Sequence, residues 1–356
     1  MTKSNEEKYW NTRLKNAAEY VPGEQPQGPE GYIKLNTNEN PFPPSKAVLE
    51  AIRAAANDSL KRYPDPTAHA IRVAYAAAKG LNPDNIFVGN GSDEIFTLIL
   101  RGFVEPDGVA AFPYPSYALY GTLAQMNGIR YDTVSLSADF SYDMAGFLKK
   151  KYDLAIIANP NNPTGTYCEV DDIRSFMRKF KGLLVVDEAY IDFYGGSAAD
   201  LTDEFSNIIV THSMSKSYSL AGLRIGFAVA PEDIIRGLMK IKDSYNVNML
   251  AAAGAVAALK DAKGFNYNIK MVVNNKEYLE ESLAAMGFDL VPSRANFIFV
   301  KHPAITSREL YGKLKERKIL VRHFTGPVQS DYVRISVGTM LEIKALAKEI
   351  AVIVGA

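Results

Sequence analysis

The chain has 356 residues, more than one simple core requires, and this length fits a large domain plus a smaller one. Hydrophobic residues make up 47 %, which is enough apolar surface to offset the entropy of ordering and excludes disorder across the whole chain. Basic and acidic residues both number 40, which argues against a nucleic-acid partner, and the single cysteine, Cys168, excludes an internal disulfide.

The N-terminal residues are polar and lack the apolar stretch of a secretory signal peptide. The longest run of small apolar residues, at positions 250–259, is shorter than the roughly 20 residues that a membrane-spanning helix needs. We therefore expect a cytoplasmic protein with no membrane partner. The histidines are too scattered in the sequence to predict a metal site; they are His69, His212, His302 and His323.

The first predicted elements alternate between helix and strand. Ser45 is placed to cap an apolar-periodic helix that runs to about Leu60, and Thr67 is placed to cap the next helix. Residues 86–88 form a predicted strand that leads through the glycine turn at residues 89–91 into an amphipathic helix.

The middle of the chain predicts a sheet covered by helices. Residues 169–180 and 232–242 have helical periodicity and lie between apolar runs. This alternation indicates an α/β fold with a doubly wound sheet, whose ligands bind at the carboxyl ends of the strands. The runs that are apolar on both faces, as buried parallel strands are, lie at residues 109–112, 154–158, 183–186, 208–211 and 225–230.

The C-terminal part predicts a smaller α+β domain, because a long polar helix is followed by short strands and a last helix. We expect an N-terminal arm at residues 1–44 that packs on this small domain, a large domain at 45–262 and the small domain at 263–356. The short strands are predicted at residues 288–291, 296–300, 319–324 and 332–337.

Two polar loops follow predicted strands. Ser92, Asp93 and Glu94 open a helix after the glycine turn, where free backbone N–H groups bind phosphate, unless this is a simple capped helix. The loop at residues 159–165 reads Asn-Pro-Asn-Asn-Pro-Thr-Gly and is either a rigid turn alone or a site where Asn162 donates to an anionic oxygen.

Two further strand ends carry a carboxylate and a lysine. Asp187 ends an apolar run, where a carboxylate is costly unless it is paired, and Tyr190 can present its hydroxyl nearby; a surface helix cap is the alternative. Lys216 lies among hydroxylated residues with few acids, where an amine becomes nucleophilic, although a lone lysine is usually solvated. The residues around it that suit a phosphate are Ser213, Ser215 and Arg224.

Two arginines alternate with apolar residues on late predicted strands. Arg322 and Arg334 are therefore expected to be half-buried. Such arginines require a carboxylate or phosphate partner, so they either bind an anionic ligand or form internal salt bridges.

Together these groups match the requirements of pyridoxal phosphate. That cofactor needs an amine to form an imine with its aldehyde, a carboxylate opposite its ring nitrogen, and donors to its phenolate and phosphate oxygens. Lys216 and Asp187 supply the first two, and Asn162 with Tyr190 supplies the phenolate donors. The predicted phosphate cup comprises Ser92, Asp93, Glu94, Ser213, Ser215 and Arg224.

On these residues the chain resembles the fold-type-I pyridoxal-phosphate aminotransferases, and within them the histidinol-phosphate aminotransferase family. The resemblance implies a large domain with a mostly parallel, doubly wound, seven-stranded sheet and a smaller α+β domain. Residues 325–330 differ from the loop that the family usually has at this place. That loop is expected to shape the substrate pocket. The segments that carry the resemblance are residues 20–26, 35–41, 62–66, 89–94, 159–165, 187–190, 213–216, 221–226 and 333–339.

The resemblance also implies roles for single residues. Lys216, with Asp187 and Tyr190, would be catalytic, and Lys216 would move a proton between the substrate and the cofactor. Tyr117 would stack on the cofactor ring, and Tyr63 would reach the cofactor phosphate of the neighbouring subunit in a homodimer with shared active sites. The implied substrate-binding residues are Tyr20, Asn38, Asn162, Arg322 and Arg334, the last on a carboxylate or phosphate.

The implied reaction is transamination between L-histidinol phosphate and 2-oxoglutarate, which gives imidazole acetol phosphate and L-glutamate in histidine biosynthesis. An aromatic amino acid aminotransferase and a threonine-phosphate decarboxylase of the same fold remain alternatives. A non-catalytic sensor would need a DNA-binding module, for which the chain before Ser45 leaves no room. A nucleotide-binding protein is disfavoured, because no Gly-Lys-Ser/Thr follows the glycine turn.

Overall fold

The computed structural model describes residues 8–16, 23–26 and 31–355 of the chain. Its helices are α1 (Thr12–Asn16), α2 (Lys46–Ala55), α3 (His69–Lys79), α4 (Ser92–Phe103), α5 (Leu119–Asn127), α6 (Val170–Met177), α7 (Glu232–Ile241), α8 (Met249–Lys260), α9 (Ala262–Ala285), α10 (Ser307–Glu316) and α11 (Met340–Val354). Its strands are β1 (Ile33–Lys34), β2 (Ile86–Gly89), β3 (Val109–Tyr114), β4 (Arg130–Ser135), β5 (Leu154–Ala158), β6 (Leu183–Asp187), β7 (Ile208–Ser213), β8 (Gly226–Val229), β9 (Asp289–Val291), β10 (Phe297–Lys301), β11 (Ile319–Leu320), β12 (Arg322–His323) and β13 (Val333–Ser336).

Seven strands form the large sheet in the order β2, β8, β7, β6, β5, β3, β4. The α/β fold with a mostly parallel seven-stranded sheet is therefore confirmed. The expectation that residues 225–230 form a parallel strand was wrong, because β8 is antiparallel to both of its neighbours, β2 and β7. An apolar run indicates burial on both faces, and burial does not depend on the direction of the strand.

Side chains alternate between the two faces of this sheet and join a different core on each side. Ile156, Val185 and Ile209 pack with helices α4, α5 and α7, whereas the next residues along the same strands pack with α6. A third core joins β2 and β8 to helices α2, α3 and α8. The sheet is thus covered on both faces, which leaves the ends of its strands as the place for polar loops.

The C-terminal part holds a four-stranded antiparallel sheet in the order β12, β13, β10, β9. Helices α9, α10 and α11 supply the apolar residues that bury one face of it, with Leu279, Leu310 and Leu346 among them. β1 pairs in parallel with β11, so the predicted strand at residues 319–324 is divided at Val321 between two sheets. The division of the chain at residues 44 and 262 stays a prediction.

Two helix ends differ from the predicted ones. Ser45 precedes α2 without a side-chain capping bond, and the helix ends at Ala55, because Asn57 caps a separate 3₁₀ turn. Before α3 the capping group is not Thr67 but the carboxylate of Asp65, which accepts from the N–H groups of Thr67 and His69 at 2.9 and 2.7 Å. Among the described residues, no helix combines the length and apolarity that crossing a bilayer requires.

Candidate active site

The predicted loops lie together at the edge of the large sheet where β2, β5, β6 and β7 end. Parallel strands place their carboxyl ends at the same edge, so the order of strands determines which loops are neighbours. The loop after β5 is tied to the end of β6 by the N–H of Asn159, which donates to the carbonyl of Asp187 at 2.7 Å. The N–H of Glu188 in turn donates to the carbonyl of Thr211 on β7 at 2.8 Å.

Lys216 follows β7 in a turn, and its amine is largely enclosed. Its Nζ donates to the carbonyl oxygen of Thr37 at 3.0 Å, and its own carbonyl accepts from the amide of Asn40 at 3.0 Å. Burial, and then the positive charge of Arg334, lower the pKa of Lys216 to about 8, while the charge of Glu39 opposes this shift. About a tenth of the amine is therefore neutral, and nucleophilic, at pH 7, far more than at the ordinary pKa of 10.5.

Asp187 is the last residue of β6 and is 6 % exposed. Its carboxylate accepts hydrogen bonds from the hydroxyl of Tyr120 and from the N–H of Ala189, the latter at 3.1 Å. Burial raises the pKa of Asp187 to about 6, although these two hydrogen bonds favour its charged form. A buried carboxylate at a strand end is what a cationic ring nitrogen would stabilise.

An anion cup lies between the start of α4 and the loop after β7. Arg224 donates to the hydroxyl of Ser215 at 3.3 Å and forms an ion pair with Asp93 at 3.2 Å. The hydroxyl of Ser213 accepts from the N–H of Ser215 at 3.2 Å. The structure thus brings the predicted phosphate-binding residues Ser92, Asp93, Ser213, Ser215 and Arg224 together at this cup.

Glu94 has a different environment from the one expected for a phosphate donor. Its carboxylate accepts from the backbone N–H of Asn90 and from the amide of Asn246, the latter at 3.0 Å. An acidic side chain in the first turn of a helix offsets the helix dipole, which explains this arrangement. Any contribution of Glu94 to an anion site is therefore expected from its backbone N–H.

Arg334 on β13 contacts the loop after β5. It is 7 % exposed and donates to the amide oxygen of Asn162 at 2.6 Å and to the carbonyl of Asn36 at 2.7 Å. Its guanidinium also lies over the ring of Phe297, 5.4 Å from the centroid. These contacts fix one planar cation from the small sheet beside the loops of the large sheet.

Tyr190 and Asn38 form a second link between the two sheets. The amide of Asn38 donates to the hydroxyl of Tyr190 at 3.0 Å, and Ser336 on β13 bonds to both the N–H and the amide oxygen of Asn38. Asn38 has a φ of +56°, a conformation that asparagine tolerates better than most residues. Both predicted residues therefore lie at the same site as Lys216, whose Nζ is 6.0 Å from the centroid of the Tyr190 ring.

The remaining predicted residues are placed as follows. Tyr117 is half-buried just before α5, and its ring meets that of Tyr120 edge-on, with 5.4 Å between centroids. Arg322 lies opposite Arg334 in the β12–β13 register. Tyr63 is 78 % exposed and stacks on Tyr245 at 4.4 Å. Tyr20 lies outside the described residues.

The sequence did not predict three hydrogen bonds of the site. Two join Lys216 to the carbonyl of Thr37 and to the amide of Asn40, and the third joins the hydroxyl of Tyr120 to the carboxylate of Asp187. Thr37 and Asn40 lie in the segment 35–41 that carried the family resemblance, yet their partner could not be read from the sequence. For Tyr120 the available signal was its position three residues after Tyr117, which indicates a place near the site but does not indicate the bond to Asp187.

The donor set fits pyridoxal phosphate. An amine, a buried carboxylate and an anion cup lie at one edge of the sheet, and the cofactor requires this combination. The cup also leaves no room for a side chain at Gly91, whose φ is +84°: a Cβ there would lie 2.6 Å from Arg224 Nη2. Lys216, Asp187, Asn162, Tyr190 and the cup are therefore the residues that could hold the cofactor.

Comparisons with known proteins agree with this fit. The model of the family described as aminotransferase class I and II matches residues 30–350. The histidinol-phosphate aminotransferase of Clostridium botulinum strain Okra is 39 % identical over 351 residues, which are 98 % of this chain and 99 % of the relative. That of Geotalea uraniireducens is 42 % identical over 329 residues, or 92 % and 94 % of the two chains.

A solved structure is similar as well. The crystal structure of histidinol-phosphate aminotransferase from Sinorhizobium meliloti in complex with pyridoxal-5'-phosphate superposes with a TM-score of 0.85. The two sequences are 27 % identical, and the match covers 91 % of each chain. Similarity therefore extends over the whole architecture and is not restricted to the loops of the site.

Proposed function

This chain belongs to the aminotransferase class I and II family, and from that premise we infer that it is a pyridoxal-phosphate-dependent histidinol-phosphate aminotransferase. It transfers the amino group between L-histidinol phosphate and 2-oxoglutarate in histidine biosynthesis. Relatives of that activity match it over nearly their full length. The observation that carries the chemistry is that the enclosed Lys216 amine, the buried Asp187 and the Asn162–Arg334 pair lie at one edge of the large sheet.

We assign the protein's own residues the following steps. When bound, pyridoxal phosphate supplies an aldehyde that takes up an amino group and a ring that withdraws electrons from the substrate α-carbon. Lys216 supplies the amine that holds the cofactor and then moves a proton at the α-carbon, for which a pKa near the working pH is required. The carboxylate of Asp187 keeps a proton on the ring nitrogen, while Tyr190 and Asn162 donate to the phenolate oxygen.

The rest of the site binds anions. Arg224, with Ser213, Ser215 and the first N–H groups of α4, is placed to hold the cofactor phosphate. Arg334 is held by Asn162 and Asn36 in one orientation and would bind the carboxylate of glutamate or the phosphate of histidinol phosphate. Arg322, with Tyr20 and Asn38, completes the proposed substrate site. Two substrates of different shape thus share one pair of cations.

An assay of the purified protein tests this function. With pyridoxal phosphate, histidinol phosphate and 2-oxoglutarate, we expect glutamate to form, and histidinol phosphate alone should bleach the yellow form of the enzyme. Phenylalanine and tyrosine test the aromatic aminotransferase alternative, and release of carbon dioxide from threonine phosphate tests the decarboxylase. Turnover of an alternative substrate, together with no turnover of histidinol phosphate, would contradict the assignment.

Replacement of Arg334 by lysine tests the substrate cation. Lysine keeps the positive charge. It loses the planar guanidinium group, which contacts Asn162 and Asn36 and would bind the substrate anion at the same time. We expect KM for both histidinol phosphate and glutamate to rise about 10- to 100-fold. Arg317→Lys, which alters an ion pair with Glu349 instead, is the matched control. Unchanged KM values for both substrates in the Arg334 variant would show that the arginine has a structural role only.

The lowered pKa of Lys216 predicts how cofactor capture depends on pH. Only the neutral amine attacks the aldehyde, so in the cofactor-free enzyme the capture rate should rise about tenfold from pH 6 to 7 and level off above pH 8. Stopped-flow absorbance at the wavelength of the bound cofactor measures this rate. A rate that still climbed tenfold per pH unit above pH 9 would mean that the lysine has the ordinary pKa of 10.5.

We also propose that the enzyme works in the cytoplasm as a homodimer in which Tyr63 reaches the partner's cofactor phosphate. The exposure of Tyr63 and its stacking on the Tyr245 ring support this, because an aromatic pair on a surface suits an interface. The mass of the protein in solution, measured by light scattering, tests the dimer.

A further inference from the structure

We propose that Tyr120 is a positioning residue for this reaction, because its hydroxyl holds the Asp187 carboxylate and its ring supports Tyr117. Asp187 and Tyr117 are the two residues assigned to the cofactor ring, one at its edge and one on its face. The inference therefore rests on the proposed function and adds to it a residue that contacts neither substrate nor cofactor. Tyr120 acts through Asp187 and Tyr117, which are assigned to contact the cofactor.

The hydroxyl of Tyr120 makes a direct bond to the carboxylate. Tyr120 lies in the first turn of α5, is 1 % exposed, and donates to Oδ2 of Asp187. The other oxygen, Oδ1, accepts from the N–H of Ala189 at 3.1 Å and from the hydroxyl of Thr211 at 3.5 Å. Since Tyr120 and Asp187 are both buried, bulk water cannot easily replace the phenol as a donor to Oδ2.

The ring of Tyr120 is held by three aromatic neighbours. Its centroid is 5.3 Å from that of Phe96 on α4 and 5.7 Å from that of Phe112 on β3. It is 5.4 Å from that of Tyr117, which it meets at 87°. The contacts with Phe96 and Tyr117 are edge-to-face, a geometry that is favourable and directional. These contacts thus hold the Tyr120 hydroxyl in place independently of its bond to Asp187. The Tyr120 ring also packs against the ring of Tyr117.

The phenol is a permanent donor. Burial, and then the negative charge of Asp187, raise the pKa of Tyr120 well above its ordinary value, so the proton stays on the phenol at every working pH. The bond therefore always favours the charged form of Asp187. Asp93 at the start of α4 and His212 on β7 also act on this carboxylate, and the phenol of Tyr142 lies close enough that, besides burial, the charge of Asp187 contributes to raising its pKa. Asp93 opposes ionisation of Asp187 and His212 favours it.

Tyr120→Phe removes the hydroxyl and leaves the packed ring in place. In the cofactor-free protein we expect the pKa of Asp187 to rise above its value in the parent. The infrared band of the protonated carboxyl group measures this pKa. The loss of that band in Asp187→Asn assigns it to Asp187. The dissociation constant of pyridoxal phosphate should rise about tenfold, because a hydrogen bond to a charged buried group is lost. kcat should fall by a similar factor while KM for histidinol phosphate stays unchanged.

Tyr142→Phe is the matched control. Tyr142 is half-buried near the same strand ends, but its hydroxyl donates to the carbonyl of Ala158. This variant should leave the pKa of Asp187 and the affinity for pyridoxal phosphate at parental values. Parental values for Tyr120→Phe would overturn the proposal, as would equal losses in both variants, which would indicate general loosening of the domain. Failure of the unmodified protein to turn over histidinol phosphate would instead overturn the proposed function.

Discussion

In the Lys216→Ala variant we expect turnover of histidinol phosphate to fall by roughly 10⁴-fold or more, because the change removes both the amine that holds the cofactor and the group that moves the proton. The yellow colour of the bound cofactor should be lost or shifted at the same time. Steady-state glutamate formation and the visible spectrum measure the two effects. Activity close to that of the parent would refute the role of this lysine.

The same variant should keep its fold. The pKa of Lys216 is lowered to about 8 by burial, so below that pH the charged amine is less stable in the folded chain than in the unfolded one. Its removal should therefore leave the thermal midpoint of the cofactor-free protein unchanged or higher at pH 7. Lys276→Ala is a control for the loss of a half-buried lysine outside the site, since Lys276 donates to the carbonyl of Ser293 and pairs with Glu280. We expect that variant to keep its turnover.

Asp187→Asn should change activity and stability in opposite directions. Turnover should fall about 10³-fold, because a neutral amide cannot hold a proton on the ring nitrogen. The cofactor-free protein, in contrast, should become more stable at pH 8. The carboxyl has a pKa of about 6 when folded against an ordinary value of 3.8, and at pH 8 this difference costs the folded state roughly 3 kcal/mol.

The direction of the stability effect follows from proton binding. A carboxyl whose folded pKa is raised binds more protons in the folded chain between about pH 4 and 6, so the parent loses stability as the pH rises through that range. The Asp187→Asn variant has no such loss, and the two unfolding curves should converge near pH 4. Asp192→Asn is the contrasting control. Lys79 holds the pKa of Asp192 below its ordinary value despite burial, so that variant should be destabilised at pH 8. Equal stability of Asp187→Asn and the parent at pH 8 would contradict the raised pKa.

The chemistry of the site could be predicted because its polar residues interrupt apolar strands. Asp187 ends a buried strand, Asn162 and Lys216 lie in the loops that follow two others, and parallel strands bring such positions to one edge. The type and approximate bounds of most predicted helices and strands followed from the same apolar periodicity, whereas α5, β4 and α8 were not predicted. The sequence therefore predicted well which polar residues lie at the same edge of the sheet.

The contacts that orient these residues could not be predicted in the same way. Tyr120 lies in an apolar helix, where an aromatic residue indicates only packing, and its donor role depends on the distance to Asp187. His212 is buried on β7, and its Nε2 lies 2.7 Å from the buried carboxylate of Glu188. Both partners come from other strands or helices, so no spacing within one segment encodes them.

The direction of β8 has a consequence for how this site could be altered. Because β8 runs against its neighbours, the segment between Ser213 and Gly226 leaves the sheet and returns to it at the same rim. A parallel β8 would need a crossover connection, and Arg224 would then emerge at the opposite rim. The amine and the guanidinium therefore lie on one connection whose two ends are fixed by β7 and β8, and an exchange of the segment between Ser213 and Gly226 replaces both groups at once.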